Sequence, residues 1–218
     1  MVTVREQLPD QLNELSEEGT VEHAAETQTA LTTWLERVRV ILDGAELNQL
    51  ENVAQLVLQK ELESKVSHHA NTFSTGIGIA DILAHLQVDE DTLAAAVLYR
   101  SVREGLTTLD EIKQKFGVQI FNLVEGTLAM GKLSELIEKN KRLEDHFNNN
   151  QREHLNGIYK MLISVTEDVR VVLIKLAERT HALRELATSP KERQERVARE
   201  ILTIYSPLAH RLGIAQLK

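Results

Sequence analysis

The chain has 218 residues, 42% of them hydrophobic, which is enough for one core and excludes wholesale disorder. Acidic residues outnumber basic ones, 33 to 25, for a formal charge of −8, the wrong balance for a domain whose main task is gripping RNA or DNA. Zero cysteines rule out disulfides, thiolate metal sites and a cysteine nucleophile.

Three prolines, and long runs of Leu, Ala, Glu, Lys and Arg, predict an all-α protein. No apolar run approaches the ~20 residues needed to cross a bilayer, and the first ten residues lack the apolar stretch of a signal peptide. A cytoplasmic location with no membrane partner is the expectation.

Residues 1–20 are polar and predicted to be flexible. A first helix is expected over Val21–Leu42, with Trp34, Leu35, Val38 and Ile41 on one face and Gly44 as its stop. A second, over Glu46–Lys65, carries Leu50, Val53, Ala54 and Val57. Ser67–Asn71 reads as a loop, after which helical spacing resumes at Ile79, Ile82, Leu83 and Leu86. Asp89 or Asp91 can cap the next helix, where Leu93, Ala96, Val97 and Arg100 share a face. Thr108 and Glu111 have capping-box spacing, Gly117 ends that helix at Phe116, and another is expected over Val118–Met130.

Residues 142–152, with three consecutive asparagines, read as a polar, mobile loop. Helices follow near 153–166, 168–186 and 190–205. Ser189-Pro190 has an N-cap/N1 arrangement, and Glu167-Asp168 is a charge pair suited to a helix N-terminus. The second of these carries Val169, Val172, Leu173, Leu176, Ala177, Thr180 and Leu183 at helical spacing, with Val171 and Ile174 opposite. Its first half is therefore apolar nearly all round and belongs in the middle of a bundle. Residues 190–200 alternate in charge as a solvated face does.

Two stretches carry a resemblance. Val169–Leu186 (VRVVLIKLAERTHALREL) and Ile204–Lys218 (IYSPLAHRLGIAQLK) resemble the N-terminal region of long RelA/SpoT-family alarmone enzymes. The likeness is clear from about residue 75 to 218 and firm from Tyr159 onward. It implies an HD-domain-like multi-helix bundle over residues 21–205, with 206–218 beginning the connection to a synthetase domain that this sequence does not contain.

Hydrolases of that family hold a divalent ion on scattered histidines and carboxylates, and the ion activates a water for attack on phosphorus. Aligned on Ile82–Leu86 and Leu176–Arg179, the first family histidine falls on Thr75 and its proline on Gly76. The His-Asp pair falls on Tyr99 and Arg100, the following Glu-Asp on Arg103 and Glu104, and the late aspartate on Glu178. The nucleotide-gripping loop falls on Val66-Ser67-His68, and an asparagine on Ala182. Of the metal ligands, only Glu178 keeps a coordinating group. A guanidinium at Arg100, ~4 Å from a divalent ion, would repel it by about 2 kcal/mol in water and about 8 kcal/mol at an effective dielectric of 20.

The resemblance thus implies no metal, cofactor or catalytic residue in this chain, magnesium being needed only by the missing synthetase domain. Arg100 is expected to pair with Glu178 or Glu104, and Tyr99 to fill the old histidine's space. Arg179 and His181 match family positions and are assigned packing or hydrogen-bonding roles. The pattern is that of the synthetase-only branch: an inactive regulatory domain acting on the adjoining synthetase domain, in a parent that reaches the ribosome through C-terminal modules. An active hydrolase and a helical interaction scaffold are the alternatives. An apolar face without its partner is a candidate homodimer surface.

Overall fold

The computed structural model describes residues 27–64, 71–144 and 168–214. Every regular element among them is helical, and the all-α expectation holds. No helix among the described residues is long and apolar enough to cross a membrane.

Helix α1 spans 27–38 and buries Leu31, Trp34 and Val38. It stops short of Leu42, and Gly44 is not its terminator but the first residue of α2 (Gly44–Glu63). The reason is a capping box one residue earlier. The Asp43 carboxylate accepts from the amides of Ala45 and Glu46 at 2.9 and 3.0 Å, and Glu46 accepts in return from the Asp43 amide at 2.8 Å. The expected loop at 67–71 is outside the described residues except for Asn71.

Helix α3 (Thr72–Ala84) leads into α4 (Glu90–Arg103), which Asp89 caps by accepting from the Thr92 amide at 2.9 Å. Side chains from Thr92 to Tyr99 are all buried, so α4 has no single apolar face. It packs against α2, α3, α5 and α6, and is the helix that occupies the middle of the bundle.

Helix α5 (Leu109–Glu144) is two helices joined at Gly117, whose φ of 88° no L-residue adopts cheaply. The Thr108 hydroxyl accepts from the Glu111 amide at 3.1 Å, which fixes the start of the first piece as the spacing predicts. The second piece runs past Met130 to Glu144; the rest of the expected polar loop lies outside the described residues.

Helix α6 (Val169–Arg184) is capped by Asp168, which accepts from the Arg170 amide at 2.9 Å. Glu167 lies outside the described residues. Helix α6 buries Val171, Val172, Ile174 and Leu176, whereas Val169 and Leu183, both assigned to the packed stripe, sit at its two ends and are exposed. A 3₁₀ turn (Glu185–Thr188) follows. Helix α7 (Lys191–Glu200) begins one residue after Pro190, which takes the N-cap position instead of N1, and buries only Val197 and Glu200. The expected single helix to Tyr205 is interrupted by a π-helical segment, Ile201–Tyr205, before α8 (Ser206–Arg211).

Candidate functional site: a buried charge cluster between α4, α5 and α6

Two glycines let α3 pack tightly against its neighbours. A Cβ on Gly76 would lie 2.8 Å from the Val97 carbonyl oxygen, so the α3 and α4 backbones pass too closely here for any side chain. A Cβ on Gly78 would lie 2.4 Å from the His181 ring, so the imidazole of α6 occupies the notch that the glycine leaves. His181 is half-buried there, and burial, helped by Arg184 and Arg100 and opposed by Glu185 and Glu178, holds its pKa below the ordinary value.

At the centre of the cluster is a side chain that the resemblance did not single out. Lys175 on α6 is fully buried, and its ammonium donates to the Glu178 carboxylate and, at 3.2 Å, to the Tyr99 hydroxyl. It also lies 5.2 Å from the Tyr99 ring centre. Glu178 accepts a second charged hydrogen bond from Arg103 at 3.0 Å. Burial alone would raise the Glu178 pKa, but Lys175, Arg179 and Arg103 together hold it well below the carboxylate range. The same attraction overcomes desolvation at Lys175 and keeps it protonated.

Arg100 does not enter this cluster. It pairs with Glu104 one turn on, at 2.8 Å, which selects one of the two expected partners; Glu178 is taken by Lys175 and Arg103. The geometry follows from helix periodicity. Tyr99 and Arg103 lie one turn apart on the face of α4 turned towards α5 and α6, while Arg100 and Glu104 are rotated about 100° from it. Tyr99 is 2% exposed and does fill interior space, with its hydroxyl satisfied by Lys175. Thr75 is half-buried on α3, and among the described residues no hydrogen bond or ion pair joins it to the cluster.

Arg179 extends the network towards the end of the chain. Its guanidinium lies 2.9 Å from the Glu200 carboxylate and 5.4 Å from the centre of the Tyr205 ring, and the Tyr205 hydroxyl meets the Ser134 hydroxyl at 2.8 Å. Four of the positions named from sequence (Tyr99, Arg103, Glu178 and Arg179) are thus brought together. Thr75, Arg100, Glu104 and His181 make no hydrogen bond or ion pair to them among the described residues. Val66, Ser67 and His68 lie outside the described residues. Lys175 was missed, although a lysine flanked by Ile174 and Leu176 in an all-round apolar stretch has nowhere to go but inward. Among the described residues, no three His, Asp or Glu side chains are grouped so as to hold a metal ion.

Residues 51–215 match the family described as HD domain. The chain is 35% identical over 185 residues to a protein of Escherichia coli (strain K12) named bifunctional (p)ppGpp synthase/hydrolase SpoT, covering 79% of this chain and 25% of that protein. It is 34% identical over 197 residues to a GTP pyrophosphokinase of Photobacterium angustum, covering 90% of this chain and 25% of that protein. A GTP pyrophosphokinase of Myxococcus xanthus is 36% identical over 143 residues, 64% of this chain and 17% of that protein. The chain therefore spans a quarter or less of the length of these relatives.

Proposed function

Because the chain belongs to the HD-domain family, as the HD-like part of RelA/SpoT-type (p)ppGpp synthetase/hydrolase enzymes, we propose that it is a catalytically silent regulatory domain of a RelA-type GTP pyrophosphokinase. One observation carries the reading. Glu178, the single carboxylate left from the family's ligand set, is buried with the Lys175 ammonium and the Arg103 guanidinium on its two oxygens. A divalent cation would have to displace both and then sit beside them. Tyr99 and Arg100, at the His-Asp positions, offer it a phenol and a guanidinium in place of an imidazole and a carboxylate. These residues do not fit a metal.

The cluster also supports a role for a domain without chemistry. Its buried charges are paired in place, so the bundle keeps the shape that a metal centre would otherwise organise. Such a body can bias a neighbouring synthetase domain by docking differently on its resting and active states. In the parent protein, magnesium belongs to that synthetase domain and the ribosome to modules beyond it.

The test has two arms. After dialysis against manganese and incubation with ppGpp, the chain is expected to retain metal well below one equivalent and to release no pyrophosphate. Stoichiometric metal with pyrophosphate release would establish an active hydrolase instead. In the longer protein, deleting this domain is expected to change the synthetase rate between resting and ribosome-stimulated conditions. An unchanged rate in both would favour a helical scaffold.

A further inference from the structure

The chain from Lys191 to Arg211 is helical throughout, yet its winding changes in the middle. Between α7 and α8 the Ser206 amide donates to the Ile201 carbonyl, five residues back instead of four. Such π turns are rare and concentrate where a helix has a job besides packing. Pro207 is one local cause. It has no N–H for the Thr203 carbonyl, and its ring would crowd that carbonyl in a straight α-helix.

The sequence suits two windings. In an uninterrupted α-helix Val197, Ile204 and Leu208 fall on one face, at i, i+7 and i+11. One surplus residue brings Tyr205 and Ala209 to that face instead. All five side chains are buried, so either winding offers the bundle an apolar pair.

Arg179 favours one of them. Reaching across from α6, its guanidinium lies 2.9 Å from the Glu200 carboxylate, just before the π turn, and 5.4 Å from the ring centre of Tyr205, the last residue of the turn. The Tyr205 hydroxyl then meets Ser134 of α5 at 2.8 Å. These contacts bracket the turn, and rotating Tyr205 by about 100° breaks both of its own. The hold is incomplete. The Nε–H of Arg179 is buried and makes no hydrogen bond among the described residues, and Glu178 on the same helix also attracts the guanidinium. Leaving Glu200 therefore costs Arg179 less than leaving a fully bonded site.

We propose that Ile201–Tyr205 is a two-position switch, pinned in its π form by Arg179 across Glu200 and Tyr205, and that release to the α form turns Ser206–Arg211 by about 100° about the helix axis. Pro207 keeps the α form the minor one while the pin is in place. The device consists of backbone winding and side-chain contacts alone, and it holds whether or not the domain is hydrolytically silent.

NMR on the ²H,¹³C,¹⁵N-labelled full chain provides the test, because couplings through hydrogen bonds identify the acceptor of the Ser206 amide. The unaltered chain should couple Ser206 to Ile201. Arg179→Met should transfer the coupling to Leu202 and abolish the contact between the Tyr205 ring and Ser134. Pro207→Ala supplies an amide for Thr203 and should raise the α population about tenfold or more, seen as millisecond exchange confined to residues 201–211. This second variant leaves the buried charges untouched, so it decides the matter even if Arg179→Met does not fold. A folded Arg179→Met that keeps the Ile201 coupling, or a Pro207→Ala without exchange in those residues, would overturn the switch.

Discussion

Two of the glutamates that the domain buries to the same degree, Glu61 and Glu178, do different work. Glu61, at the end of α2, is 6% exposed and accepts from the Phe73 amide at 2.6 Å. It caps α3 from outside, where the helix's own N-cap residue, Asn71, is left-handed and supplies no side-chain bond. Glu178, also 6% exposed, is held instead by an ammonium and a guanidinium. The difference teaches what each carboxylate leaves behind when removed. Loss of Glu61 uncovers the Phe73 amide, whereas loss of Glu178 strands a buried lysine without its counter-charge.

The largest expected effect follows from that contrast. Glu178→Gln should destabilise the domain by about 3–5 kcal/mol in urea unfolding, because Lys175 keeps its charge and loses its partner. Lys175→Met should cost less, about 1–3 kcal/mol, since Arg103 and Arg179 still face Glu178. Combining the two should cost less than the sum of the singles, and strict additivity would show that they do not act as a pair. Gly78→Ala forces a methyl into the His181 ring and should cost about 1–3 kcal/mol, with His181→Ala restoring most of the loss.

Glu61→Gln retains an oxygen acceptor for the Phe73 amide and should cost about 1 kcal/mol or less. A loss equal to that of Glu178→Gln would erase the distinction drawn above. The smallest effect concerns pH. The His181 pKa is held below its ordinary value of 6.5, so the unfolded chain takes up that proton before the folded one does. Stability should therefore fall as pH drops below about 6.5, and His181→Gln should flatten the decline in a pH series of thermal unfolding.

How far the sequence disclosed these features depended on whether one element or several were needed. Asp89, Asp168 and Thr108 each cap a helix within a single turn, and the side-chain pattern is sufficient to show it. The first helix was overextended because Gly44 reads as a stop, when Asp43 and Glu46 together make it a beginning. At the site, alignment marked the positions that had lost ligands but not those that had gained a role. Arg103 and Lys175 come from different helices, and only packing shows that both end on Glu178. Arg100 drew attention through its place beside Tyr99, yet a rotation of one residue along α4 points it elsewhere. The apolar stripe of α6 was right in its middle and wrong at Val169 and Leu183, where a helix outruns its neighbours.

The π-helical turn at Ile201–Tyr205 sets a heading. One surplus residue in a helix swings everything after it by about 100° relative to an uninterrupted α-helix. In this register Tyr205 reaches Ser134, and Leu208 and Ala209 turn inward. Removing a single residue from that turn would not shorten the segment so much as re-aim it, sending Ser206–Arg211 off along a new bearing. Five residues thereby act as the rudder for the helix that follows them.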